Sequence, residues 1–375
     1  MITTQTNRTG VLINAVMGAA LSCLATSVNA QTDQVDPLLQ QAELDAQPVA
    51  SVWAGFADFA ARVESTSGFS NRDDIHRLRS RLRAGIRGEG EQWTFVFGGK
   101  GGLGSDDNAD NLRNLDNEKS NGVGLDELWL GWRSHEQLEW RIGKQPLPIA
   151  TTPLTWDTDL RPVGLSALLS WPAAEFNRWS LSGGYFAPNH LYRDNSRLAV
   201  VQGGWHYQEG APFSFEARLG WWQYHDLERL TREGLARSNR IQGNTLLSEF
   251  ELINLQLAAT WQTANNPLEL RLDMIRNIES ATDDDGARFS VIYGRSDLPK
   301  NWEIAVAYQR IGRDAVMAAF NADDWWFHSA ARGIMPWVAY GIDETWSFQL
   351  SGFYERADGR EEHVTRLLLD LRARF

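Results

Sequence analysis

Cysteine is almost absent from this chain: Cys23 is the single one among 375 residues, which excludes a disulfide framework. Long apolar segments are also scarce, and the mean hydropathy of −0.38 excludes a helical membrane protein. Basic residues are in deficit, because 36 lysines and arginines face 48 aspartates and glutamates. That acidic balance argues against a nucleic acid as a partner.

The first thirty residues have the composition of a secretory leader. Residues 1–10 carry Arg8 and no acid, residues 11–28 are mainly small and apolar, and Ala30 ends a run of small residues. We predict a signal peptide over 1–30 and a short periplasmic segment over 31–50, either helical or a tail. A retained membrane helix is the weaker interpretation, because Asn14 and Ser22 interrupt the apolar stretch. Cys23 lies in the leader, so the mature chain would lack thiol chemistry.

The C-terminal segment alternates in hydrophobicity. Apolar residues alternate with charged ones: the leucines lie at odd positions (Leu367, Leu369 and Leu371) and the charged residues at even positions (Arg366, Asp370 and Arg372). Successive side chains of a strand point to opposite faces, so one face suits hydrocarbon and the other suits water. An aromatic such as Phe375 at the end of this strand is usual for the closing strand of a bacterial outer-membrane barrel. An edge strand of a soluble sheet is the alternative.

Period-two alternation recurs throughout residues 51–375, and the connections between the segments are alternately short and long. The sixteen segments are 51–62, 75–87, 91–99, 124–133, 137–143, 165–171, 177–186, 196–207, 212–223, 248–263, 267–276, 287–295, 301–310, 331–341, 345–354 and 364–375. We predict an all-β fold, a transmembrane antiparallel β-barrel of about sixteen strands with short periplasmic turns and long extracellular loops. A change of phase in 248–263 predicts a β-bulge near Ile253-Asn254.

Arginines recur at every second position in one predicted strand and form a basic ladder. It consists of Arg77, Arg79, Arg81, Arg83 and Arg87, which share one face of a strand. An arginine on the lipid face near the bilayer midplane costs about 2–4 kcal/mol, so the ladder is predicted to line the pore. Arg133 and Arg141 would continue the basic wall on neighbouring hairpins. The alternative is a solvated face of a soluble strand.

Four pieces of the chain resemble the sixteen-stranded outer-membrane porins of proteobacteria. They are the strand 77–83, the Trp-Asp-Thr-Asp-Leu-Arg-Pro-Val-Gly-Leu piece at 156–165, the stretch 314–324 and the terminal strand. The resemblance implies a passive channel in the outer membrane of a Gram-negative bacterium and brings no ligand-binding residues. No cofactor or metal is predicted, because the sequence has no Gly-rich phosphate loop and no metal motif. The third outward loop of general porins folds inward. By that analogy loop 144–164 would form a constriction, with Asp157 and Asp159 facing the arginines and Arg161 beside them; the alternative keeps the loop outside.

The predicted function is an outer-membrane porin that passes small hydrophilic solutes or ions, in contact with lipid and lipopolysaccharide and, by analogy alone, trimeric. A substrate-selective anion or sugar channel is the runner-up. A barrel hydrolase and a non-conducting structural barrel remain as other classes. No enzyme is predicted, because Asp73-Asp74 with His76 is the nearest approach to a catalytic set and lacks a partner. Three pairs of tryptophans are predicted to be girdle residues at the membrane interface: 129/132, 221/222 and 325/326. Three acidic runs are predicted to be solvated charge in outward loops: 106–107, 283–285 and 323–324.

Overall fold

The computed structural model describes residues 52–70, 72–105, 122–174, 176–188, 195–209, 212–232, 234–263 and 266–375. The predicted signal peptide and the predicted segment 31–50 lie outside the described residues. No helix in the described ranges is long and apolar enough to cross a membrane.

Within the described ranges, sixteen long strands form one closed antiparallel barrel, in which the first strand pairs with the last and closes the sheet. The predicted fold class is confirmed. The strands are β1 (Val52–Ser67), β2 (Ile75–Glu89), β3 (Trp93–Gly104), β4 (Gly122–His135), β5 (Leu138–Lys144), β6 (Val163–Ala174), β7 (Asn177–Ala187), β8 (Arg197–Glu209), β9 (Phe213–His225), β12 (Phe250–Gln262), β13 (Pro267–Asn277), β14 (Asp285–Gly294), β15 (Trp302–Ile311), β16 (Ala331–Gly341), β17 (Trp346–Ala357) and β18 (Val364–Arg374). Between β9 and β12 lie a short helix, α1 (Glu228–Arg232), and a two-stranded hairpin, β10 (Ile241–Gln242) and β11 (Thr245–Leu246).

Each strand has one apolar outward face and one inward face, as the alternation predicts. On β2, Leu78, Leu82 and Ile86 are about half exposed, whereas the arginines of the opposite face are mostly buried. On β18, the leucines at 367 and 369 are exposed, while Arg366 and Asp370 are buried. The strand period therefore separates an apolar outer surface from a charged interior.

The connections differ at the two ends of the barrel. One end, which we call the loop end, carries the connections 68–74, 105–121, 145–162, 188–196, 226–249, 278–284, 312–330 and 358–363. The other, the turn end, carries the shorter ones. The sorting is not strict, because the turn 295–301 is as long as two of the loops and longer than 358–363.

The β-bulge predicted near Ile253-Asn254 is wrong. Strand β12 pairs with β9 and β13 without any shift of register. Phe250 and Leu252 instead point inward, and both are almost completely buried. Inward positions of β12 are apolar at the loop end because the barrel interior is apolar there. The change of phase in the sequence therefore comes from an apolar part of the interior and not from an irregular backbone.

An apolar cluster fills part of the barrel interior at the loop end. The connections 145–162, 226–249 and 312–330 contribute side chains to it, and Phe186, Leu198, Trp222 and other inward residues contribute from the strands. Trp156 stacks on Phe320, with ring centroids 5.3 Å apart. Burial of this apolar surface stabilises the inward conformation of the three connections.

The girdle predicted from tryptophan pairs is only partly correct. Trp129, Trp222 and Trp325 are buried inside the barrel, whereas Trp132 is exposed on the outside. Outward aromatic residues do collect at the turn end, in contacts such as Trp53 with Trp93, Phe213 with Trp261 and Trp302 with Tyr340. The sequence located the aromatic residues near strand ends but not the face on which each lies.

Candidate functional site: a charged wall inside the barrel

The arginines of β2 form ion pairs with acids from the neighbouring strands. Arg79 lies 3.5 Å from Glu64, the distance from Arg81 to Asp58 is 3.5 Å, and that from Arg83 to Asp126 is 3.3 Å. Arg77 is the cross-strand partner of Glu64. The arginines of the ladder therefore face the barrel interior, where they are paired with carboxylates.

Glu64 is the centre of this network. Its side chain is fully buried, and its carboxylate lies 2.9 Å from Arg366 of β18 as well as near Arg77 and Arg79. Next to it, Arg62 binds Asp370 at 2.6 Å. A buried carboxylate needs such partners, because leaving one buried charge unpaired is very costly. We call the inward charged residues of β18, β1, β2, β3 and β4 the charged wall.

The acids that β1 and β4 contribute to the charged wall were missed by sequence reasoning, whereas the alternation of β18 had already placed Asp370 inward. Asp58, Arg62 and Glu64 recur at even positions of β1, which is the same period-two signal that revealed the arginines of β2. Their spacing could have placed them on the inward face. Their partners could not have been found this way, because Arg62 and Asp370 are 308 positions apart.

The structure places Arg87, Arg133 and Arg141 nearer the turn end than Arg77, Arg79 and Arg83. Arg87 binds Glu89 at 2.5 Å, and its side chain is 37% exposed. Arg141 binds Glu139 at 2.5 Å and stacks over Trp129, and Arg133 is the cross-strand partner of Glu139. All three face inward, each beside an acid.

Connection 145–162 folds into the barrel and reaches the charged wall. The Asp159 carboxylate accepts hydrogen bonds from Arg81 at 2.7 Å and from Arg83 at 2.9 Å. The loop is held there by the burial of Leu154, Trp156 and Leu160, all part of the apolar cluster. The Asp159 carboxylate therefore lies against the arginines of β2.

Asp157 and Arg161 have other partners. The Asp157 carboxylate accepts the backbone N–H of Asp159 at 2.8 Å, and no ion pair joins it to the arginines among the described residues. Arg161 donates to Glu127 at 3.0 Å and to the Thr158 carbonyl of its own loop. Asp157 thus makes its hydrogen bond within its own loop, whereas Arg161 joins the loop to β4.

The two aspartates have opposite electrostatic environments. Burial alone would raise the pKa of Asp159, but the guanidinium groups of Arg81 and Arg83 hold it well below its usual range. Burial raises the pKa of Asp157 well above its usual range, and the nearby carboxylates of Asp323 and Asp159 raise it further. One loop therefore carries a carboxylate that is readily ionised and another that resists ionisation.

Connection 312–330 also folds inward. Asp324 binds Arg62 at 2.6 Å, so this residue of the run 323–324 is paired with the barrel wall and is not the unpaired loop charge that was predicted, although its side chain stays 42% exposed. The Glu355 carboxylate anchors the connection by accepting the backbone N–H of Trp326 at 2.8 Å. Backbone hydrogen bonds join it to the other inward loop, from Asp157 N–H to the Phe320 carbonyl at 2.7 Å and from Ala322 N–H to the Pro153 carbonyl at 3.1 Å.

The contacts of Asp159 with Arg81 and Arg83 change the net charge that this part of the wall presents. Opposite charges in direct contact largely neutralise each other, so Arg81 and Arg83 do not present an unpaired positive surface. Polar groups also line the far side of the interior, where Asn254 donates to Asp273 at 2.6 Å and Arg288 to Gln309 at 3.0 Å. Among the described residues, no group of three or more His, Cys, Asp or Glu side chains could hold a metal ion.

Solved structures with a similar fold include an outer membrane protein and a porin. OprB of Pseudomonas putida, in a high-pH structure, has a TM-score of 0.58 and 12% identity over 86% of this chain and 94% of its own. This chain has a porin-like fold. OmpT of Vibrio cholerae, an outer membrane protein in a loop-deletion form, has a TM-score of 0.54 and 11% identity over 87% of this chain and 100% of its own. A mutant porin of Rhodopseudomonas blastica has a TM-score of 0.50 and 11% identity over 86% and 100%.

No protein-family model matches the chain, and no curated protein matches it in sequence. Membership of the proteobacterial porin family therefore stays a prediction.

Proposed function

We propose that this protein is an outer-membrane porin, a passive diffusion channel for small hydrophilic solutes or ions. The observation that carries the proposal is the closed sixteen-stranded barrel with an apolar outer face and a charged inner one. Only a closed barrel or a helix satisfies all its backbone groups in lipid. A charged interior of this kind suits water and hydrated solutes.

The outer surface supports a position in the outer membrane of a Gram-negative bacterium. Exposed apolar side chains cover the middle of the strands, and outward aromatic residues collect at the turn end, where an interfacial girdle is expected. The turn end then faces the periplasm and the loop end the exterior. A homotrimer stays a prediction by analogy with general porins, and cross-linking of the folded protein would test it.

The conducting path would run beside the charged wall. In this proposal Arg77, Arg79, Arg81 and Arg83 line it from near the loop end to mid-height, and Arg87, Arg133 and Arg141 line it closer to the turn end. The loop 144–164, with Asp157, Asp159 and Arg161, forms the constriction. The support is the direct contact of Asp159 with Arg81 and Arg83, which narrows the interior at that height.

A substrate-selective channel for an anion or a sugar is the second candidate. It is favoured by the apolar cluster and by the inward folding of connections 145–162, 226–249 and 312–330, which leave less room than an open barrel would. A narrow path binds its solute, so the conductance for that solute saturates. A wide path shows ohmic conductance without saturation.

Single-channel recording in a planar phospholipid bilayer tests the proposal. Reconstituted protein should give discrete ohmic current steps in potassium chloride, and heat-unfolded protein should give none. Addition of a series of sugars and organic anions then separates the two candidates, because a selective channel would be blocked by its own solute at a saturable site. A correctly folded barrel that never conducts would refute both candidates and favour a structural or enzymatic role.

A further inference from the structure

Three arginines stand in register on the outer surface at the loop end. Arg310 of β15 is the cross-strand partner of Arg332 of β16, and Arg332 is the partner of Arg356 of β17. All three lie on the outward face of their strands, the face that carries the exposed Tyr308, Ile334 and Tyr354. We call Arg310, Arg332 and Arg356 the outer arginine row.

An apolar row lies directly below the outer arginine row. Tyr308, Ile334 and Tyr354 are themselves cross-strand partners, two residues nearer the middle of each strand. Two residues of a strand advance by about 7 Å. The guanidinium groups therefore begin one outward position beyond the apolar band, which is the height at which long cationic side chains meet lipid headgroups.

The outer arginine row has fewer acidic partners than positive charges. Like charges directly opposite each other on neighbouring strands are destabilising. Arg310 is offset by Asp285 at 2.8 Å. The side chains of Arg332 and Arg356, by contrast, form no hydrogen bond or ion pair with any residue that the structure describes. An external anion would relieve the repulsion between them.

Basic residues are concentrated on this side of the barrel. On the other strands the last outward residue at the loop end is seldom basic: Ser67, His76, Leu103, Val123, Ile142, Val163, Ala187, Arg197, His225, Glu251, Arg276, Asp285 and Thr365. Of the two arginines in that set, Arg276 is paired with Asp284 at 2.9 Å. Three adjacent strands that each end in an outward arginine therefore form a distinct cationic surface.

We infer that the outer arginine row binds the phosphate groups of a glycolipid headgroup in the outer leaflet, that is, of lipopolysaccharide. The inference rests on the proposed function, which places the loop end at that leaflet. Guanidinium groups bind phosphate through paired, charge-assisted hydrogen bonds. The apolar row below would contact the upper part of the acyl chains, so one lipid would satisfy both rows.

Binding of lipid A to the folded protein in detergent tests the inference. The variant Arg310→Gln/Arg332→Gln/Arg356→Gln keeps polar side chains and removes three charges, so its affinity for bis-phosphorylated lipid A should fall about tenfold or more. Dephosphorylated lipid A should bind the unmodified protein as weakly as phosphorylated lipid A binds the variant. Two controls are available: lysine at the same three positions should preserve most of the binding, and Arg295→Gln at the turn end should leave it unchanged.

Several outcomes would overturn the inference. Equal binding of lipid A by the unmodified protein and the glutamine variant is one, and displacement of lipid A by millimolar inorganic phosphate alone is another, because it would indicate a site for a free anion. If the triple variant fails to fold, Arg332→Gln alone should still weaken binding several-fold. Conductance in a phosphatidylcholine bilayer separates this test from the proposed function, since the outer arginine row lies outside the pore and the variants should conduct normally.

Discussion

At the scale of single residues, Asp157 and Asp159 show how one loop can give two carboxyl groups opposite properties. Both belong to the connection 145–162, two positions apart, and both are largely buried. Asp159 is surrounded by guanidinium groups, whereas Asp157 lies among other carboxylates and accepts a backbone N–H. The difference in neighbours, and not in burial, separates their behaviour.

Replacing Asp159 by Asn should move the reversal potential in a salt gradient toward anions. The change leaves the guanidinium groups of Arg81 and Arg83 without their loop carboxylate, so the wall gains positive charge. Asp157→Asn is the matched control and should have a smaller effect, because Asp157 does not contact the arginines. An equal shift in both variants would show that contact with the wall does not decide selectivity.

Asp157→Asn should also change how stability depends on pH. The pKa of Asp157 is raised in the folded protein, so its protonated form favours folding. That contribution is present at low pH and is lost as the pH rises through the folded-state pKa. The permanently neutral Asn variant should therefore gain in melting temperature relative to the unmodified protein as the pH rises.

Thermal unfolding measured between acidic and alkaline pH checks this expectation. Asp159→Asn serves as the control, because the pKa of Asp159 is lowered and its loss should destabilise the protein at neutral pH. A constant difference between the unmodified protein and Asp157→Asn across the pH range would contradict the assignment.

At the scale of the element, β2 carries three of the arginines closest to the loop. Replacing Arg79, Arg81 and Arg83 by Gln should move the reversal potential toward cations, because Glu64, Asp58, Asp126 and Asp159 would lose positive partners. Lysine at the same positions should leave the reversal potential nearly unchanged. An unaltered value in the Gln variant, with conductance intact, would show that these arginines do not line the conducting path.

Strand β18 offers a test of which face meets lipid. Leu369→Arg and Leu371→Arg place a charge on the outward face, at a cost of about 2–4 kcal/mol each near the bilayer midplane. Arg372→Leu changes an inward residue that binds Asp370 at 3.2 Å, and Asp370 keeps its contact with Arg62. The amount of heat-modifiable barrel on a gel should fall for the two leucine variants only; similar assembly of all three would refute the face assignment.

At the scale of the whole molecule, the inward connections pack against one another. Phe320 lies between Trp156 and Tyr224, with ring centroids 5.3 Å and 5.7 Å away, and thus links the connection 312–330 to the connection 145–162 and to β9. Loosening this contact should affect both stability and the width of the path.

Phe320→Ala should lower the free energy of unfolding by about 3–5 kcal/mol, because it leaves a cavity in a fully buried cluster. Open-channel current should become noisier as the loops move. Phe289→Ala, on the exposed outward face of β14, is the control and should cost less. Denaturant unfolding and single-channel recording measure both effects, and equal losses in the two variants would mean that the cluster does not stabilise the loops.

The sequence by itself determined the strands and most of their faces. Period-two alternation is a local property, so it located every long strand within a few residues and put the arginines of β2 inside. It misassigned the phase change at Phe250 and Leu252 and the faces of Trp129, Trp222 and Trp325. The apolar interior that explains them is built by loops distant in the chain.

Only the tertiary structure decided the partners of the charges. Closure of the barrel brings Asp370 to Arg62 and Glu64 to Arg366, and folding of the loop brings Asp159 to Arg81. Such pairs depend on strand register and on where a loop packs. Neither can be predicted from the spacing of residues along the chain. The sequence could therefore indicate that the interior is charged, while the fold alone determined that much of this charge is paired.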